Sequence, residues 1–182
     1  MPQILVPLAN GFEEIEAISI IDVCRRGEID VIVAGVDTKI IVGTHNISVV
    51  TDCMIDEVMI DSLDMIVLPG GWAGTEILAN HATVQAILKQ MKHEDKYIGA
   101  ICAAPYALNA ADVLGNNFTC YPSIEDKIQK QGYNKEADTV IDSKIITSKG
   151  VGTAICFALE IIKTLQGKAK YQQIKQAILA KC

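Results

Sequence analysis

Positive charge is in short supply in this 182-residue chain: 22 acidic residues against 16 basic ones leave a net charge of −6. A nucleic-acid groove or an anionic membrane surface calls for a basic face, so small molecules or proteins are the expected partners, and sequence-specific nucleic acid is not. Long apolar runs are also missing. Nothing approaches the roughly 20 apolar residues of a membrane span. The opening MPQILVPLANG has no basic segment and meets Asn10, Glu13 and Glu14 too early for a secretory leader. The expected location is the cytoplasm, with no membrane contact.

The six cysteines (Cys24, Cys53, Cys102, Cys120, Cys156, Cys182) form no CxxC pair, and the three histidines (His45, His81, His93) have no neighbour at ligand spacing. No metal site is expected, and in a reducing compartment such scattered cysteines read as free thiols. Repeats, low-complexity tracts and linkers are absent. One domain over residues 1–182 is therefore expected, long enough to bury a core without crosslinks.

What is present is alternation. Apolar runs of strand length (QILVPLA, DVIVAGV, DMIVLPGG, KYIGAIC) are interleaved with segments of helical period, beginning with EEIEAISIIDVCRRG, which opens on acids and closes on Arg25-Arg26-Gly27 as helix dipole and C-cap preferences require. KIIVGTHNISVV breaks at residues 43–46 into two β-branched arms, a hairpin pattern. Unalternated Val/Ile/Leu runs suit parallel strands covered on both sides, which predicts a doubly wound α/β sandwich with a mostly parallel central sheet and helices on both faces. In such sheets the functional crevice lies beyond the carboxyl ends of the strands, here Asn10 to Glu16, Pro69 to Gly74, and Cys102 to Pro105.

Cys102 falls where the YIGAI strand turns into the next helix, with small neighbours Ala100, Ala103 and Ala104. This matches the logic of a nucleophile elbow without its literal G-x-S-x-G pattern. A helix N-terminus favours thiolate over thiol, and the N–H groups of Ala103 and of the Gly70-Gly71 strand end could hold an oxyanion. An inert packed cysteine is the other reading, and on Cys102 alone both stay open. Packing suits Cys24 and Cys156, and Cys182 reads as a mobile terminus; Cys53 and Cys120 are undecided.

Acids in a first helical turn oppose the dipole charge, which accounts for Glu13 and Glu14. Glu16 sits on the edge of the buried stripe with Ser19, Ile20 and Val23. A carboxyl pushed toward the core resists ionising and can serve a nearby thiol as proton donor or acceptor. That is the preferred reading for Glu16.

The motifs ANGFEEIEA, IDVCRRG, IVLPGG, GAICAAP and TSKGVGTA, in this order across essentially the whole chain, resemble the ThiJ/PfpI superfamily (class I glutamine amidotransferase-like), and within it the subfamily of the parkinsonism-associated protein deglycase and bacterial YajL. The resemblance implies a flavodoxin-like homodimer, with Cys102 as reactive cysteine, Glu16 as its hydrogen-bonding acid, Gly71 in the oxyanion hole and Arg26 in support. It implies a cofactor-independent deglycase or glyoxalase acting on methylglyoxal and glyoxal, or on their adducts with protein and nucleotide amines and thiols, protective under oxidative and carbonyl stress. The alternative it carries is a redox-sensing chaperone whose cysteine is oxidised to a sulfinate. One departure stands out: Tyr121 occupies the place where relatives commonly have a histidine, and tyrosine is a poor base at neutral pH. This weakens a Cys-His protease reading. Cys120, next to it, could resolve an oxidised Cys102 or be a packed small residue.

Overall fold

The structure, a computed structural model, describes residues 1–182. In chain order the strands are β1 (Gln3–Leu8), β2 (Asp30–Gly35), β3 (Ile40–Val42), β4 (Ser48–Val50), β5 (Cys53–Met54), β6 (Met65–Leu68), β7 (Tyr97–Ile101), β8 (Thr139–Asp142) and β9 (Ile145–Ser148). The helices are α1 (Glu14–Arg26), α2 (Trp72–Asn80), α3 (Ala82–His93), α4 (Pro105–Ala110), α5 (Glu125–Ile128), α6 (Ala154–Gln166) and α7 (Lys168–Ala177).

Seven strands form one sheet in the order β5-β2-β1-β6-β7-β9-β8, parallel throughout except for β8, which runs antiparallel to β9. The unalternated apolar runs have their cause here: β6 is buried at every residue and β1 at all but Gln3, because each lies between two strands and under helices on both faces. The hairpin expected in 39–50 is β3 and β4, paired apart from the main sheet.

Two apolar clusters fill the sandwich. One joins Leu78, Ile87 and Leu108 of α2, α3 and α4 to Leu5, Ile66 and Ile98 of the sheet. The other joins Ala17 and Ile20 of α1 and Phe157 and Ile161 of α6 to Ile4, Val6 and Val67 on the opposite face. Helix α1 behaves as its sequence predicts, with Glu14 and Glu16 in its first turn, Arg25 and Arg26 in its last, and Gly27 as C-cap.

Two expectations are corrected. Cys156 and Cys182 are bonded as a disulfide, so four cysteines are free thiols and the C-terminus is tied to α6. Spacing could not reveal this pair, because α6 and α7 must first fold back on each other to bring the two together. The segment SIEDKIQKQG (123–132), whose polar pattern reads as helix-like, is helical only over the four residues of α5, ended by Gln129 in the left-handed conformation. Residues 53–63, with no clear pattern in the sequence, contribute the edge strand β5 and two short 3-10 turns.

Candidate active site

The central strands β1, β6 and β7 are adjacent, and the segments leaving their carboxyl ends converge. From β7 comes Cys102, with φ +63°. A side-chain-bearing residue in this left-handed region costs on the order of 1 kcal/mol, and the surroundings hold it there. Its N–H donates to Ser148 O (3.0 Å) and its carbonyl accepts the Tyr121 N–H (2.9 Å), while Pro105 starts α4 three residues on. The elbow is real. Its side chain is half-buried and packs against both core clusters at once.

From β1 comes α1, which delivers Glu16, fully buried. Its Oε2 accepts the Gly70 N–H at 2.8 Å; its Oε1 is buried without a partner. Burial pushes the carboxyl up to about 7, with a smaller push from Glu13, against the opposing pull of the Gly70 N–H and of the neighbouring Cys102 thiol. The acid is as reluctant to ionise as its place on the helix stripe predicts.

The thiol behaves differently from the expectation of a helix N-terminus that lowers its pKa. Burial first, then the charge and contact of Glu16, push the Cys102 thiol up, and the N–H groups of Gly71 and Ala103 pull it down without prevailing. Helix α4 is only six residues long, a weak dipole against a charged neighbour. An ionised Glu16 therefore opposes a thiolate at Cys102, and what relieves the opposition is a proton on the carboxyl. When Glu16 carries it, the repulsion disappears and the carboxyl becomes a donor facing a sulfur that two N–H groups already favour as thiolate.

From β6 come two glycines needed for different reasons. Gly71 has φ +87°, and a Cβ there would lie 2.3 Å from Gly11 O. Gly70 faces both side chains: a Cβ would lie 2.7 Å from Cys102 Cβ and 2.7 Å from Glu16 Oε2. The Gly71 and Ala103 N–H groups make no backbone hydrogen bond and are directed at the sulfur.

The sulfur opens into a cleft of about 630 Å³ lined by Glu13, Thr44, Gly71, Trp72, Cys102, Ala103, Tyr121, Ser123, Ile124, Lys127 and Val151. The structure thus brings Cys102, Glu16, Gly71, Ala103 and Tyr121 together. Arg26 stands apart, exposed at the far end of α1 and bound to Asp22 at 2.7 Å. At 1.5 Å per residue, ten residues of helix put it roughly 15 Å from Glu16. Cys120 is buried, with its sulfur 4.0 Å from Glu125 Oε2, and is not on the cleft wall.

Sequence reasoning missed Glu13, Thr44, Trp72, Ser123, Ile124, Lys127 and Val151. Trp72 and Glu13 lie within the strand-end segments and could have been taken from them; Thr44, the 123–127 segment and Val151 arrive from elements whose position no local pattern reveals. It also gave Glu14 too small a role. Glu14 accepts hydrogen bonds from the backbone N–H groups of His45 (2.6 Å) and Ile47 (3.4 Å), and its Oε2 pairs with the His45 ring at 3.0 Å. It clamps the tip of the β3–β4 hairpin to α1. Ligand-type atoms of Glu13, Glu14 and His45 lie within 4.8 Å of one another, but the Glu14 oxygens are already occupied by these donors, which suits an anchor better than a metal centre.

A model of the DJ-1/PfpI family matches residues 2–164. The chain belongs to the DJ-1/PfpI family. Protein DJ-1 homolog B of Arabidopsis thaliana is 38% identical over 181 residues, which is 98% of this chain and 41% of that protein. Homolog A of the same plant is 36% identical, with 97% and 46% covered. The chain thus spans less than half the length of these two relatives. Glutathione-independent glyoxalase DJR-1.2 of Caenorhabditis elegans is 37% identical, with 98% of this chain and 96% of that protein covered. The crystal structure of Drosophila melanogaster DJ-1beta, 35% identical, superposes with a TM-score of 0.96 over 100% of this chain and 99% of that one, so the flavodoxin-like family fold is the fold of this chain. No helix is long and apolar enough to cross a membrane.

Proposed function

We propose that the chain is a cysteine-dependent, cofactor-independent enzyme acting on small dicarbonyl aldehydes such as methylglyoxal and glyoxal, either free or as adducts on amines and thiols of proteins and nucleotides. The observation that carries this reading is the meeting of a left-handed Cys102, a buried Glu16 raised to about 7, and two N–H groups aimed at the sulfur. Similarity to a relative named as a glyoxalase supports it.

The chemistry balances without an external oxidant. The Cys102 thiolate adds to the aldehyde carbon, and the alkoxide formed takes up a proton while the N–H groups of Gly71 and Ala103 stabilise its charge. Glu16 as carboxylate removes the proton from that carbon and returns it to the neighbouring carbonyl carbon, while the hydroxyl proton passes from the first oxygen to the second, leaving a thioester. Water cleaves the thioester, releasing lactate from methylglyoxal, or glycolate from glyoxal, and restoring the thiolate. The net change is the addition of one water.

Purified protein supplied with methylglyoxal should form lactate, and Cys102→Ser should lower the rate at least about a thousandfold; turnover that survives the substitution removes the mechanism.

A second reading is that Cys102 is a peroxide sensor: a sulfinate on Cys102 would give the unpartnered Glu16 Oε1 a bonding partner, and an oxidised form of Toxoplasma gondii DJ-1 has the same fold at TM-score 0.93 and 36% identity. Each of two peroxide molecules would transfer one oxygen to sulfur and leave as water. Mass spectrometry showing two added oxygens at Cys102, in a protein without lactate formation, would favour it.

We also infer a homodimer. Ile15 and Ile18 of α1 are exposed, as are Ile40, Val42, Ile47 and Val50 on the hairpin that Glu14 clamps to that helix. A patch of this kind marks an association surface. Ile18→Lys with Val50→Lys should convert the dimer to monomer in sedimentation.

A further inference from the structure

Lys127 is the only basic residue on the wall of the cleft that Cys102 opens into. It makes no ion pair: none of the chain's salt bridges includes it, and its ammonium donates no hydrogen bond to protein. Its Nζ lies instead 4.6 Å from the centroid of the Trp72 ring. Trp72 is held in turn by Tyr106, with ring centroids 5.2 Å apart. A cation over an aromatic face keeps its place without spending its donors, so the ammonium is positioned over the cleft with three N–H bonds available. The only acid on the wall is Glu13, which would repel an anion.

We propose that Lys127, braced on Trp72, forms an anion subsite beside the nucleophile, so that the preferred electrophiles carry a carboxylate a few carbons from the reacting carbonyl. This deepens the proposed dicarbonyl chemistry and rests on it for turnover, but not for binding. An α-oxoaldehyde with a carboxylate arm would place its aldehyde at Cys102 and its carboxylate on Lys127. The covalent steps are those already given, with the same uptake of one water and 2-hydroxyglutarate as product from 4,5-dioxopentanoate.

Two measurements test the proposal. The first uses no enzymatic activity: the rates at which iodoacetate and iodoacetamide alkylate Cys102 are read by peptide mass spectrometry. These reagents match in size and differ in charge. Lys127→Met should lower the iodoacetate-to-iodoacetamide ratio about three- to fivefold, the worth of one partly exposed charge contact. Lys127→Arg should keep the wild-type ratio, and high salt should shrink the difference. A ratio unchanged in Lys127→Met overturns the subsite.

The second compares kcat/KM for 4,5-dioxopentanoate and methylglyoxal in the same three proteins, where the ratio should fall by a similar factor in Lys127→Met alone. Absence of turnover on both substrates with the alkylation effect intact would sink the enzymatic reading and leave the subsite standing. Turnover on both with no change in either ratio would sink the subsite and leave the enzyme.

Discussion

Glu14 and Glu16 are two residues apart in the first turn of one helix, both buried, and they have opposite fates. Glu14 faces the β3–β4 hairpin and is surrounded by donors; burial pushes its carboxyl up, and the hydrogen bonds from the His45 ring and the backbone outweigh that push and leave it below the usual range. Glu16 faces the sheet ends, has one N–H donor and an unpartnered oxygen, and is raised to about 7. Burial is common to both. What separates a carboxyl held below its usual range from one raised above it here is the number of donors that the surroundings supply.

The contrast can be broken at its strongest point first. Glu16→Gln keeps the shape and removes the proton traffic, so kcat/KM for methylglyoxal should fall on the order of 10²- to 10⁴-fold, whereas Glu14→Gln should fall far less; equal losses would mean that Glu16 acts only by packing. Stability should move the other way. In the folded protein Glu16 keeps its proton to about pH 7, against an ordinary value of 4.5. The folded state then binds more protons between these limits, and stability declines as pH rises through that window by on the order of 3 kcal/mol. Urea titrations from pH 4.5 to 8 should show the decline in wild type and a flatter profile in Glu16→Gln, with the variant the more stable at pH 8.

Glu14 has the opposite sign. Its carboxyl lies below the usual range when folded, so its contribution is in place above the unfolded value and disappears as pH falls through the folded one. Glu14→Ala should destabilise by about 2 kcal/mol, because it strands the His45 and Ile47 N–H groups, and hydrogen exchange should speed up in residues 43–47. The smallest effect is expected for His45→Gln. The Glu14 partnership raises the His45 pKa, so what this pair adds is complete below about pH 6.5 and lost as pH rises through the folded value; wild type and variant should converge at high pH.

The same pair of acids shows what a reader of the chain can and cannot extract. Glu16 was reachable because its i+4 and i+7 partners, Ile20 and Val23, are core residues and because a general rule about strand ends brings it to Cys102. Gly71 and Ala103 followed from the same rule, and β1, α1, β2, β6 and β7 from apolar run length and helix end signals. The part played by Glu14 depends on a hairpin about thirty residues further on, and no periodicity within α1 encodes that partner. Lys127, Thr44 and the Cys156 to Cys182 bond were hidden for a like reason: each is brought to its place by tertiary folding. The thiol's proton affinity was misjudged because the sequence displays the helix start but not the burial that, with the charge of Glu16, overrides it.

Gly70 and Gly71 can be compared in the same spirit. Gly71 is required by its own backbone torsion. Gly70 has no such need; its backbone would accept alanine, and the obstacle is the company it keeps. Its lone hydrogen leaves the space in which Cys102 and Glu16 meet, while its N–H tethers the Glu16 carboxyl, so a single residue both admits the acid and holds it. A methyl group in that space would have to displace one side chain or the other.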